Sequence, residues 1–263
     1  MTSTDTIRIE LQDGLAILSL AQPARGNPFD GAFGRDFKQV AAELLNCADL
    51  RAVLLRAEGA NFSFGGDLKA FYPARDRLAP LVREWTADLH MGLQRFWRLP
   101  VPVVTAIQGY AMGGGVALLA GCDVVLAGAS ARIGSAFAQL GFSCDSGSTV
   151  TLTYRMGVAR ARRFVLLAEV LGSEDALRAG LVDQIVADDK LQDEALALAR
   201  KLAAGPTVAY GETKRLFMRA GAAQLEAQLE DEALTLARVS ATQDAQEGIA
   251  AQVERRKPAF QGR

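Results

Sequence analysis

The sequence predicts an α/β body of stacked strand–turn–helix units, followed by an all-helical carboxy-terminal region. Three observations predict it. Short β-branched strands recur, each leading into a Gly-containing turn and a helical segment. Strand signal stops near Asp189, and beyond that point the apolar positions keep helical spacing. The chain has 263 residues, half of them hydrophobic, which suffices for one large core or one domain with a helical appendage. The expected division is 1–190 for the body and 191–263 for the helices.

Asp13-Gly14 separates two apolar runs, Ile7–Leu11 and Leu15–Leu18, and is a two-residue hairpin signal. A helical stretch follows from Phe33 to Leu45. Ala52–Leu55 then leads to Gly65-Gly66, and Val103–Ile107 leads to Gly113-Gly114-Gly115. Between them, Leu81–Trp97 reads as a helix with a core stripe of Val82, Trp85, Leu89, Leu93 and Phe96. Asp123–Leu126 leads to Gly134 and Gly141, and Leu181–Val186 is the last strand of the series. Four helices are expected afterwards, over Leu191–Ala204, Pro206–Ala220, Ala223–Ala241 and Gln243–Arg256. Gly205-Pro206 marks a stop and a fresh first turn.

Net charge is −1 with both signs mixed along the length, so no basic stripe suggests a nucleic-acid surface. The polar start, Met1–Asp5, has no signal-peptide core, and the longest apolar runs are too short for a membrane span. Cys47, Cys122 and Cys144 are odd in number and widely spaced, which reads as buried thiols in a reducing, cytoplasmic setting. With a single histidine and no ligand cluster, no metal site is expected. No nucleotide fingerprint suggests a redox cofactor, so none is expected either. The acidic cluster Glu226–Glu232 reads as a solvated helix face.

Two Gly-rich turns carry the chemistry. Asn61–Leu68 follows one strand, and Gln108–Gly115 follows another and opens a helix near Val116. Helix N-termini offer unsatisfied N–H groups and partial positive charge, and glycine lets a ligand approach the backbone closely. Two such turns side by side would aim two N–H groups at one developing oxyanion. Alternatively, each Gly-Gly pair only makes a tight turn. A dinucleotide fingerprint fails because Leu118 stands where the third glycine belongs. The P-loop and the G-x-S-x-G elbow fail as well.

In order and spacing, Pro23–Phe29, Phe62–Lys69, Pro102–Gly115, Gly134–Thr149, Gly180–Val186 and Glu254–Phe260 resemble the crotonase family of enoyl-CoA hydratases and isomerases. The resemblance covers nearly the whole chain. It implies a spiral of ββα units with carboxy-terminal helices that assemble trimers or dimers of trimers. It implies an acyl-CoA thioester as substrate, coenzyme A being part of that substrate and no separate cofactor. Gly66 and Gly114 become the oxyanion-hole donors. The backbone around Phe64 would hold the adenine, with Arg25, Asp67 and Lys69 nearby. Lys257 and Phe260 would reach the nucleotide from a neighbouring subunit.

This chain departs from the hydratases at the two positions that resemble their paired glutamates, where it has Ala117 and Phe137. Phe137 is therefore read as an acyl-pocket residue. Asp145 stands where some isomerases of the family carry a carboxylate, and where related 4-chlorobenzoyl-CoA dehalogenases carry their nucleophile. An apolar pocket beside Phe137 and Phe142 would raise its pKa and suit it to proton shuttling. The plainer alternative is a cap for a helix starting near Ser146. His90 matches the dehalogenases' general-base histidine and stays a catalytic candidate, against the plainer and preferred reading of a packed or surface residue. The expected function is enoyl-CoA isomerisation through a thioester enolate. Hydratase, aryl-CoA dehalogenase and non-catalytic acyl-CoA binding are the alternatives.

Overall fold

The computed structural model describes residues 2–221 and 225–263. The hairpin forms as expected from β1 (Ile7–Gln12) and β2 (Leu15–Leu20), its turn held by Asp13 and Gly14 at φ 49° and 80°. A two-residue strand, β3 (Pro28–Phe29), leads into α1 (Gly31–Leu45), which starts two residues before the expected Phe33. Asp30 caps it by accepting from Phe33 N at 2.9 Å. Next come β4 (Ala52–Ala57), the short β5 (Gly65–Gly66), α2 (Leu68–Phe71) and the long α3 (Leu78–Trp97).

The second unit runs β6 (Val103–Ile107), β7 (Tyr110–Met112) and α4 (Gly114–Ala120). The third has β8 (Val124–Gly128) and β9 (Arg132–Gly134), then α5 (Ser148–Met156) and α6 (Val158–Leu166). After β10 (Val170–Gly172) and α7 (Ser173–Arg178) comes β11 (Gln184–Val186), half the length expected for Leu181–Val186. Leu181 and Val182 are buried without strand pairing: their amides bond back to the Ala176 carbonyl at the end of α7. The tail is α8 (Leu191–Ala203), α9 (Thr207–Gly221), α10 (Leu225–Ser240) and α11 (Gln243–Val253). The expected start of the third of these helices, at Ala223, lies outside the described residues. Among the described residues no helix is long and apolar enough to cross a membrane.

A six-stranded sheet in the order β1-β2-β4-β6-β8-β11 organises the body, with every pair after the hairpin parallel. Successive side chains of a strand point to opposite faces, so a parallel sheet covered on both sides reads as continuous apolar runs. Leu18, Leu20, Val53, Leu55, Val103 and Val125 join the core beneath α1 and α3. Leu15, Ile17, Leu54, Val104 and Leu126 pack instead against Leu191, Ala195, Ala199 and Ala203 of α8. Phe29, Phe33, Phe37 and Phe96 form an aromatic row with centroids 4.2, 5.4 and 5.2 Å apart.

A smaller sheet, β10-β9-β7, and the β3–β5 pair stand beside the main sheet and carry the glycine-rich turns. One glycine locks this corner. Gly109 has φ 57°, and a Cβ there would lie 2.1 Å from the Ala60 carbonyl oxygen and 2.6 Å from Asn61 Oδ1. Gly109→Ala therefore has to separate the β6–β7 turn from the segment leading into the first glycine-rich turn. We expect it to lower unfolding free energy by about 3 kcal/mol, read from denaturant midpoints.

The three cysteines are unpaired thiols. Cys122 is buried as expected, its thiol pushed up to about 12 by burial. Cys47 and Cys144 are only partly buried, contrary to expectation, because each sits at the edge of a helix-flanking loop.

Candidate active site

Tertiary structure brings the two glycine-rich turns together. Ser63 N donates to the Tyr110 carbonyl at 3.1 Å, and Met112 N donates to the Ser63 carbonyl at 2.9 Å, so the two segments run side by side. Ser63 Oγ, fully buried, donates to the Asn27 carbonyl at 2.7 Å and accepts from Gly65 N at 3.0 Å. Asn27 in turn donates through Nδ2 to the carbonyls of Glu58, Asn61 and Phe62, each at 3.1 Å. Gly65, at φ 76°, fits only without a side chain: a Cβ would lie 2.7 Å from Met112 O and 3.1 Å from Gly114 N. Gly114 is the first residue of α4, so its N–H is one of those with no acceptor inside the helix.

Gly66 and Gly114 both line one cavity of about 670 Å³. Arg25, Phe64, Asp67, Lys69, Phe137 and Asp145, named from the sequence, line it too. Lys257 and Phe260 do not; both are exposed on the terminal stretch after α11. Trp85, read mainly as core, is half-buried and faces this cavity with Phe71, the two rings stacked 5.3 Å apart. At the rim Phe64 stacks on Tyr110 at 5.8 Å, both rings about half exposed. Gln252 and Arg255 also line the cavity. Sequence reasoning missed them, since nothing local in α11 or the turn after it shows which body residues that stretch will cover. A separate cavity of about 730 Å³ lies under α9, between Trp97 and Phe217. Its acid Asp123 is already paired with Lys214 at 2.6 Å, and neither glycine-rich turn reaches it.

Three carboxylates line the first cavity, and two have structural work. Asp30 caps α1, Asp67 caps α2 by accepting from Lys69 N at 2.9 Å, and both pair with Arg25. Hydrogen bonds from Arg25 to Asp30 and Asp67 hold its guanidinium more firmly charged than usual. The third, Asp145, is buried and shares the cavity wall with Phe137 and Phe142. His90 of α3 is buried behind it, and its Nε2–H donates to Asp145 Oδ1 at 2.7 Å.

This contact corrects one reading and completes another. His90 is a packed residue, as the plainer reading has it, and it packs against a carboxylate. The Asp145 pKa is lowered, not raised: burial pushes it up, but the His90 charge and hydrogen bond, with bonds from Ser146, outweigh that. Burial likewise pulls His90 down, but Asp145, Glu232 and the Leu229 carbonyl raise it overall.

Asp145 is also not the cap of the following helix. That helix starts at Ser148, and its first turn is held by Glu232 of α10, which accepts from Gly147 N at 2.6 Å and Thr149 N at 2.9 Å. Glu232 is therefore buried, not part of a solvated face, and burial raises its pKa. Backbone strain flanks the site: Ala136, before Phe137, and Ser146, after Asp145, have φ 58° and 60°. Such left-handed non-glycine residues persist where surrounding contacts over-determine them.

The ion pair predicts a stability window. A lowered Asp145 stabilises the fold above its ordinary value of 3.8 and loses that contribution as pH falls through its folded pKa. A raised His90 stabilises fully below its ordinary 6.5 and loses the contribution as pH rises through its folded pKa. Wild type minus the His90→Gln/Asp145→Asn double variant should therefore differ most between those two values. Urea unfolding at stepped pH checks this; a flat difference contradicts the ion pair.

The sequence profile of the enoyl-CoA hydratase/isomerase family matches residues 10–263. The chain belongs to that family, within the crotonase superfamily. A probable enoyl-CoA hydratase of Rhodobacter capsulatus is 34% identical over 99% of this chain and 100% of its own length. The 1,2-epoxyphenylacetyl-CoA isomerase of Escherichia coli is 32% identical over 96% of this chain and 97% of its own. Among solved structures, an enoyl-CoA hydratase from Mycobacterium avium subsp. paratuberculosis superposes with TM-score 0.88 at 26% identity, over 97% of this chain and 98% of that one. As in this enoyl-CoA hydratase/isomerase family, the expected α/β architecture with carboxy-terminal helices is what the structure has.

Proposed function

We propose that this family member moves the double bond of an enoyl-CoA through a thioester enolate. The observation that carries the reading is Asp145, among the described residues the one carboxylate of the cavity not committed to a helix cap, placed beside the junction of the two glycine-rich turns. Ser146 Oγ, one residue on, lies 3.4 Å from where a Gly114 side chain would begin. The Gly66 and Gly114 N–H groups bind the thioester oxygen and stabilise the charge that develops there. Asp145 removes a proton from one carbon, and the electron pair moves to that oxygen. Return of the proton at the other end of the conjugated system completes the shift.

Two-carboxylate hydration lacks its groups: Ala117 is fully buried within α4 and Phe137 presents a ring to the cavity. Around the reacting end, Phe64 with Arg25, Asp67 and Lys69 holds the nucleotide part of coenzyme A. Lys257 and Phe260 extend that contact in a homotrimer or dimer of trimers. Residues 191–263 form the assembling region, and 1–190 the binding and catalytic part.

The His90–Asp145 contact favours a second reading, hydrolytic dehalogenation of an aryl-CoA. An ionised Asp145 attacks the halogen-bearing ring carbon, halide leaves, and water activated by His90 hydrolyses the resulting ester.

Enoyl-CoA thioesters with short, branched and aromatic acyl groups, incubated in deuterated water and followed by NMR, test the first reading. Deuterium entry or double-bond migration supports it. Binding without any exchange overturns it, and chloride release from 4-chlorobenzoyl-CoA then establishes the second.

A further inference from the structure

The dyad behind the acyl cavity faces two different spaces. Asp145 lines the acyl cavity and not the outer one; His90 lines a separate cavity of about 270 Å³ between α3 and α10, and not the acyl cavity. Thr86 borders both, and its hydroxyl is committed to the Val82 carbonyl at 2.7 Å, so it acts as the partition. Outward, the second cavity ends among Arg83, Glu226 and Glu230, all exposed. A route from solvent to the imidazole thus exists that does not pass through the space the acyl chain would fill.

We infer that this α3–α10 cavity is the proton port of the active site, through which His90 trades a proton with bulk water while acyl-CoA closes the other side. The inference rests on Asp145 acting as the base. A carboxylate beside a fixed imidazolium is a weak base, because the proton it accepts lands next to a positive charge. The difficulty disappears when the imidazolium can leave its charge in water as Asp145 takes one up. The substrate C–H bond breaks, an O–H bond forms on Asp145, and the electron pair becomes the enolate. In the same stage the other ring N–H of His90, the one directed at the Leu229 carbonyl, lets go of that carbonyl and breaks, its proton passing to water in the outer cavity while Nε2–H stays on Asp145. Reprotonation of substrate carbon reverses both transfers, so no proton is gained or lost over the cycle. The charged groups around the imidazole fit this traffic: Asp145 lies in front, Glu232 of α10 acts on it from the side, and Glu226 and Glu230 stand near the mouth.

His90 is the chain's single histidine, so one imidazole gives the whole signal. The test measures solvent exchange of the His90 ring N–H by NMR on uniformly 15N-labelled protein. It compares wild type with Ala233→Leu and Ala87→Leu, which fill the cavity from opposite walls, with and without S-butyl-coenzyme A. Ala87 is exposed on α3, so its variant folds even where the buried Ala233 substitution does not. The expected result is a wild-type exchange rate changed less than twofold by the thioether, and slowed at least tenfold by either filling variant. Exchange at the wild-type rate in the folded variants overturns the port, as does exchange that the thioether alone shuts off. The readout needs no turnover. Absence of deuterium in enoyl-CoA substrates therefore sinks the isomerase reading without touching this measurement.

Discussion

Asp145→Asn is expected to remove deuterium exchange and double-bond migration by about 10²–10⁴-fold while leaving thioester binding within a few-fold of wild type. The amide keeps the size of the carboxylate and can still accept from His90 Nε2–H through its oxygen, so the loop keeps its shape. It cannot take up a proton. Glu232 continues to hold Gly147 N and Thr149 N, which argues that the fold survives the change. His90→Gln separates the two readings of the site. Without the imidazolium Asp145 is a buried carboxylate lacking its cation, and desolvation then dominates and raises its pKa. The acid limb of the rate–pH profile should move to higher pH, while the rate on the alkaline plateau survives in part. If Asp145 is instead a nucleophile toward an aryl halide, His90→Gln stalls hydrolysis of the ester, and the protein gains the mass of the aroyl-CoA group. Exchange that persists undiminished in Asp145→Asn removes this residue from the mechanism.

Gly114→Ala is the second large effect. A Cβ at 114 would lie 2.9 Å from Phe29 Cδ2 and 3.3 Å from Cε2. That ring cannot swing aside freely, because it stacks on Phe33 at 4.2 Å within a buried aromatic row. Either the row shifts or the start of α4 withdraws, and either moves the N–H that the proposed mechanism places within hydrogen-bond reach of the thioester oxygen. Removing one oxyanion donor costs roughly 10²–10³-fold in turnover, and a loss of that size in kcat with KM little changed is expected here. Steady-state kinetics on an active thioester, with circular dichroism to check folding, decides it. A variant whose kcat is intact rules out Gly114 N–H as a donor.

Much of the frame was legible because it depends on local rules. Asp13-Gly14 allows only a tight hairpin, and strands of Val, Leu and Ile between glycine turns leave few options other than a sheet covered on both faces. The helices after Asp189 follow from spacing alone, and they appear within a few residues of where they were expected. The segment from Gly134 to Leu181 carries little pattern of its own. Its helices α5, α6 and α7 are short, and the tight turns between them leave too few periods for a pattern to emerge. Of the site residues that the resemblance named, Arg25, Phe64, Gly66, Asp67, Lys69, Gly114, Phe137 and Asp145 line one cavity.

The sequence by itself determined the family, the α/β body with its helical tail, and the two glycine-rich turns that meet at one cavity. Those features are written in residue types at fixed spacing. Only the tertiary structure decided in which direction the Asp145 pKa moves, because burial, which raises it, is outweighed by a histidine 55 residues away on α3. It alone turned Glu232 from an apparent surface acid into the clamp on Gly147 and Thr149, since α10 carries that side chain inward against α5. Burial and pairing are properties of which elements meet, and Coulomb interactions act across space without regard to distance along the chain.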